Sequence, residues 1–206
     1  MIAALYVETD GCYYGIEGVE PWGARDKGGG TVVLDGRDAR AYPGPHPVVA
    51  HPPCNRWCMM ARVNEARYGH KVGEDEGCFA AALASVRRWG GVLEHPAYSI
   101  AWDHFNLPRP TPGGWTRGFF DDGWATEIFQ RNYGHPANKR TWLYYVGDSP
   151  PRLDWSNPAP TEAWISSDRP WAELAARGIR QLSSREARAT PLPFRDLLIE
   201  MARGTA

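Results

Sequence analysis

The sequence has no excess of charge of either sign: 23 lysines and arginines stand against 24 aspartates and glutamates, a formal net charge of −1. No overall positive field draws such a chain onto nucleic acid, so any such contact has to be local. There is no apolar run near the roughly 20 residues that a membrane span requires. The opening MIAALYVETDG lacks a basic segment ahead of its apolar stretch and reads as a strand rather than an export signal. The expectation is therefore a cytoplasmic protein that does not engage membranes. Its cysteines, Cys12, Cys54, Cys58 and Cys78, are expected to be reduced. The KGGG at 27–30 has the wrong order for a phosphate loop. No histidine is followed two residues later by glutamate, and PPCNRWC carries one residue too many between its cysteines, so the zinc-deaminase pattern is missing.

Two residue types are abundant. Ten tryptophans and 18 prolines in 206 residues point to long loops pinned by aromatic anchors, because disordered segments are poor in aromatics. The length suits one domain over 1–206, with a loop-rich insertion at 148–180. Apolar runs predict strands at 2–8, 46–53, 91–96 and 140–147, and a short strand or hairpin arm at 31–38. Phe79, Leu83, Val86 and Trp89 fall at helical spacing within 76–90, and Gly90–Gly91 ends that helix. Residues 55–77 read as loop with some helix, 97–123 as a long loop, and WATEIFQRNYG as partly helical. Helices are expected again at 171–178 and at the end of the chain, where Phe194, Leu197, Leu198 and Met201 form a stripe. Apolar strands alternating with helices indicate an α/β sheet, in which ligands bind outside the carboxyl ends of the strands.

Two predicted strands end alike. VVAHPPC delivers a thiol, Cys54, and GVLEHP delivers Glu94 and His95. With one helix between them, a right-handed crossover brings both ends to one edge of the sheet. A nucleophilic cysteine beside an acid suits addition to an electron-poor ring whose nitrogen is protonated or hydrogen-bonded during attack.

The order of these motifs resembles the cytosine-5 DNA methyltransferases. AHPPC looks like their Pro-Cys nucleophile loop, and LEHP like their Glu-Asn-Val motif, with His95 in place of Asn. YGHPANKRTWLYYVG is similar to their Tyr-Gly-x-Pro-Gln-x-Arg-x-Arg segment, and LSSREARATPLPF is faintly similar to a late Thr-x-Arg-Glu-Ala segment. The resemblance implies a Rossmann-like methyltransferase-type sheet with helices on both faces. It also implies methyl transfer from S-adenosylmethionine to carbon 5 of a cytosine or related pyrimidine, in DNA or a nucleotide. Cys54 would attack carbon 6, Glu94 would hold ring nitrogen 3, and Arg140 would orient the base. His51, Arg56, His95, Tyr133, His135 and Lys139 would line the substrate side. The cofactor would lie against Asp10, Gly11 and Gly15 in VETDGCYYG, with Pro53, and with Glu20 and Asp38 as acids for the ribose and the adenine. The sequence departs from the family in having no Phe-x-Gly-x-Gly turn, only 46 positions between Glu8 and Cys54, and no room for a separate target-recognition domain.

Plainer readings stand beside this one. Free cysteine is among the most buried residue types, so Cys54 is also compatible with a core position; Glu94 is compatible with a salt bridge to an arginine. His51, Cys54 and Cys58, with Cys78, His70 or His95, offer a zinc alternative, although structural zinc sites favour tighter paired spacings. Arg56, Arg62 and Arg67, and Arg131, Lys139 and Arg140, form basic clusters that suit either a solvated face or phosphate contact. A non-catalytic binding module on the same scaffold, or another pyrimidine-modifying enzyme using Cys54 and Glu94, are the rival functions.

Overall fold

A computed structural model of the chain describes residues 1–8, 11–23, 36–119, 121–165 and 171–205. The elements in chain order are β1 (Ile2–Leu5), β2 (Val19–Trp22), β3 (Val48–Ala50), α1 (Ala61–Tyr68), α2 (Cys78–Trp89), β4 (Gly91–Pro96) and α3 (Ile100–His104). They continue with β5 (Thr116–Arg117), β6 (Trp124–Phe129), β7 (Arg140–Val146), β8 (Ala163–Trp164), α4 (Trp171–Ala176), β9 (Arg180–Gln181), α5 (Ser184–Arg188) and α6 (Leu192–Arg203). Short 3-10 turns occupy Ala39–Ala41 and Gln130–Tyr133.

Seven strands form one mixed sheet in the order β2-β1-β3-β4-β7-β6-β5, and β8 pairs with β9 apart from it. The four strands β2, β1, β3 and β4 run parallel, whereas β7 lies antiparallel to both β4 and β6, and β5 antiparallel to β6. The chain steps one way from β1 to β2 and the other way from β3 to β4, so strand order reverses between β1 and β3. Their carboxyl ends open at that reversal.

Period-two alternation sorts the strand residues onto two cores. Ala3, Leu5, Val48, Ala50, Leu93, Trp142 and Tyr144 face α2 and α3. Ile2, Ala4, Val49, Val92, Leu143 and Tyr145 face α6. Helices thus cover both faces. In α2 the stripe is Phe79, Ala82, Leu83 and Val86, each at most 2% exposed, and full burial of such side chains stabilises by roughly 1.5–3 kcal/mol apiece. Gly91 is obligatory where β4 begins: its φ is +113° and a Cβ there would stand 2.0 Å from the Val48 carbonyl oxygen.

Several expected elements take another form. WATEIF is β6, a strand rather than helix, because Ala125 and Ile128 are buried in the sheet against β7. The 97–123 loop contains α3, which starts where the Ser99 hydroxyl accepts from the Ala101 N–H at 3.2 Å, and β5. VEPW forms β2, an edge strand on which the missing N–H of Pro21 is tolerated. The strand expected at 2–8 stops at Leu5, and the one expected at 46–53 spans only Val48–Ala50. Of the strand expected at 31–38, residues 31–35 lie outside those described, and Asp38 makes an isolated parallel bridge to Gly23.

Candidate active site

The parallel ladder extends one step beyond β3, since the His51 N–H donates to the Leu5 carbonyl at 3.0 Å. Pro52 and Pro53 then end it, having no N–H to offer. The chain turns at once, with the Cys58 N–H on the Cys54 carbonyl at 2.8 Å. Cys54 is thereby left at the carboxyl edge of the sheet. Glu94 arrives at the same edge along β4, and its charge is one of those felt by the Cys54 thiol. Because β7 runs against β4, the start of β7 reaches this edge too, with Thr141 opposite Pro96.

A buried chain of polar groups runs through the site. The Tyr13 hydroxyl lies 2.8 Å from His51 Nε2, and His51 Nδ1 lies 3.0 Å from Glu94 Oε2. Gln130 Nε2 donates to Glu94 Oε1 at 3.1 Å and to Thr141 Oγ1 at 2.9 Å. Both carboxylate oxygens therefore already accept a hydrogen bond. Since an ionised carboxylate only accepts, His51 carries its proton on Nδ1, and in the neutral ring Nε2 accepts from Tyr13. Tyr13, Gln130 and Thr141 escaped the sequence reading. Tyr13 and Thr141 are 128 positions apart, and the one local hint was a polar residue, Thr141, amid the apolar β7.

The charges are strongly biased. Burial raises the pKa of Glu94, but the His51 hydrogen bond and the Lys139 charge outweigh it and hold the group at about 2. Burial, with Cys58 and Glu94 nearby, pushes the Cys54 thiol up to about 11, while Lys139 pulls it the other way. The free site thus pairs a protonated thiol with a firmly ionised carboxylate. Burial also drives His95 down to about 4 against the pull of Glu94.

Backbone strain brackets the same edge. Tyr6 and Tyr98, just past the ends of β1 and β4, have φ of +62° and +63°. Bulky residues rarely adopt this region, and such outliers concentrate at functional sites.

The other expected residues are placed as follows. Lys139 faces Cys54 and Glu94 electrostatically. Arg140 is at the same edge but is held by Glu127 at 2.5 Å and lies over the Tyr98 ring at 4.9 Å. His95 turns to the opposite face of the sheet, 0% exposed, packed on Phe79 and Trp102. Arg56 follows Cys54, its Nε buried without a partner. His135 is buried and accepts from the Ala137 N–H at 3.1 Å. The Tyr133 hydroxyl accepts from the Asp154 N–H at 2.9 Å and its ring packs on Phe194, which ties the 148–160 loop to α6.

On the cofactor side, the Gly11 N–H donates to the Glu8 carbonyl at 3.0 Å, closing a tight turn after β1, and Gly15 has φ of +71° with open space around it. Pro53 lies beside His95. Asp10 falls outside the described residues. Glu20 sits within β2 and pairs with Arg37 at 3.6 Å. Asp38 caps the 3-10 turn and is held by Arg40 at 2.6 Å, whose hydrogen bonds lower its pKa. The Tyr6 hydroxyl and Trp22 Nε1, buried and unpartnered, lie on the α2 side of the sheet, whereas Cys12, Tyr13 and Tyr14 of the turn pack on the α6 side. The two acids, as they stand, are committed to arginines.

All four cysteines are free, and among the described residues no group of three or more His, Cys, Asp or Glu side chains could hold a metal. No described helix is long and apolar enough to cross a membrane. A depression of about 520 Å³ lined by Arg117, Gly118, Asp121 and Asp122 lies at the β5–β6 tip, toward the opposite edge of the sheet. No protein-family model matches the chain, and no curated protein or solved structure matches it either.

Proposed function

We propose that the chain is a pyrimidine-modifying enzyme that adds the Cys54 thiolate to carbon 6 of a cytosine or related pyrimidine in DNA and directs a methyl group to carbon 5. The observation that carries this reading is the meeting of Cys54 and Glu94 at the carboxyl edge, beside the point where strand order reverses. That is where open α/β sheets bind ligands. A methyltransferase-type arrangement is further supported by the four parallel strands and by the helices on both faces.

Cys54 loses its proton to solvent and its Sγ bonds to carbon 6. The C5=C6 pair becomes C4=C5, and the C4=N3 pair moves onto N3, which takes a proton at Glu94. Carbon 5 is then electron-rich. S-adenosylmethionine, held at the Gly11–Gly15 turn, would supply an electrophilic methyl group. Loss of the carbon-5 proton, return of the N3 proton to the Glu94 side and expulsion of the Cys54 thiolate then restore the aromatic ring. Lys139 favours the thiolate throughout, and water must be kept from the cleft while the adduct persists. A target within a duplex has to be flipped out of the stack.

An oligonucleotide containing 5-fluoro-2′-deoxycytidine, incubated with S-adenosylmethionine, should form a covalent adduct with the native chain and none with Cys54→Ser. No adduct with the native chain, on single or double strands, would defeat the reading. The ion pairs of Glu20 and Asp38 favour a second reading, in which the same thiol and carboxylate serve another one-carbon donor. Addition at carbon 6 without any stabilisation of the protein by S-adenosylmethionine would select it.

A further inference from the structure

Glu94 cannot itself be the source of the proton that N3 receives. Its two oxygens accept from His51 and Gln130, and it sits 9% exposed beside Lys139 as a settled anion. Something behind it must supply that proton. Of its two hydrogen-bond partners, only His51 is an acid–base group, since the Gln130 amide neither gains nor loses a proton.

We infer that Tyr13 and His51 are positioning residues for this site: His51, seated between the Tyr13 hydroxyl and Glu94, carries the proton that Glu94 relays to ring nitrogen 3. The inference rests on the proposed addition chemistry and goes beyond it by locating the acid one residue behind the carboxylate. As Sγ bonds to carbon 6, the Nδ1 proton of the His51 imidazolium passes to the Glu94 carboxylate and on to N3, so that Glu94 is an anion before and after the step. The ring is left neutral with its proton on Nε2, which donates to the Tyr13 oxygen. One negative thiolate and one positive imidazolium become a neutral adduct and a neutral imidazole, so charge balances without a tyrosinate. That matters because burial pushes the Tyr13 hydroxyl well above its ordinary range.

The titratable and charged groups around His51 come from four directions. They are Cys12 and Tyr13 in the turn after β1, Glu94 and His95 on β4, Lys139 ahead of β7, and Arg195 and Asp196 on α6 near Tyr13. Arg195 is itself fixed to the Cys12 carbonyl at 2.8 Å. Through that contact α6 anchors the turn that carries Tyr13.

Two measurements test the inference. Nitrogen-15 NMR of the imidazole needs no substrate. When His51 is neutral it should be the Nδ1–H tautomer in the native chain, and it should lose that preference in Glu94→Gln. An Nε2–H ring in the native chain would overturn the relay. The second is exchange of the carbon-5 hydrogen of a deoxycytidine oligonucleotide into heavy water, which reports addition at carbon 6 without any methyl donor. The native rate should rise with pH less steeply than the Cys54 thiolate does, because the step also consumes a protonated His51. His51→Gln should be slower by about 100-fold, the scale of general acid catalysis, and its rate should climb with the thiolate toward about pH 11. Tyr13→Phe, the milder variant, should slow exchange less than His51→Gln and give a profile between the two. A His51→Gln profile identical to the native one would refute the inference. If the native chain shows no exchange at all, the addition chemistry is what fails, and the tautomer measurement still decides the hydrogen-bonded chain.

Discussion

Replacing His95 with phenylalanine should remove a defined part of the protein's acid sensitivity. The ring is 0% exposed, lies against the Pro53 backbone, and is enclosed by Phe79 and Trp102 at centroid distances of 5.2 and 6.3 Å. Burial lowers its pKa to about 4 from an ordinary 6.5. Because the folded value lies below the unfolded one, the fold favours the neutral ring. The contribution is complete above about pH 6.5 and is lost as pH falls from there to about 4, a difference worth about 3 kcal/mol. Glu94 also protects against acid, but in a lower window, from about 4.5 down to about 2. Urea unfolding at intervals between about pH 7.5 and 4.5 therefore isolates the histidine window. The native chain should weaken steadily across it, and His95→Phe should weaken far less, leaving only the share of His135, which burial also lowers. At pH 7.5 the variant should lose only about 1 kcal/mol, because the contact with the Pro53 backbone is given up and the ring is larger. Equal slopes for the two proteins would show that His95 is not the responsible group and would refute the argument.

The thiol can be probed without any substrate. With Cys54 at about 11, iodoacetamide should label it slowly at pH 8, where only about one thiol in a thousand is ionised, and faster as pH rises toward 11. Lys139→Gln should slow the reaction severalfold at fixed pH by removing the charge that lowers the thiol; unchanged labelling, read by peptide mass, would place Lys139 elsewhere. Asp75 accepts from Trp57 Nε1 at 2.7 Å, from the Phe79 N–H at 2.8 Å and from the Gly77 N–H at 3.0 Å. Asp75→Ala should cost about 3 kcal/mol, as a lost helix cap compounded by an unpaired indole N–H. A melting temperature close to native would contradict it.

The legible parts of the sequence were those where one local rule dominates. β1 is an apolar run, β3 and β4 are apolar runs bounded by proline or glycine, and α2 repeats its apolar residues at helical spacing, so chemistry alone located them. β6 was obscured because Trp124, Ala125 and Ile128 also fall at helical spacing; only pairing with β7 decides for a strand. β2 has no apolar run and contains a proline, and its place at the sheet edge is a property of its neighbour. The site divides in the same way. Cys54 and Glu94 stand at strand ends and could be read, whereas Tyr13, Gln130 and Thr141 acquire their roles only through contacts between distant segments.

The reversed direction of β7 has a consequence for how this protein can change. Thr141 meets Gln130 on the side of the sheet occupied by Glu94, while Arg140 and Trp142 point to the other. Sliding β7 by one residue would exchange those sides, stranding the Gln130 amide and parting the Trp142 indole from the Glu127 carboxylate to which it donates at 2.8 Å. Core and chemistry are therefore soldered to a single alignment, and evolution can retune this protein only by exchanging side chains in place or by lengthening the loops after β3 and β4.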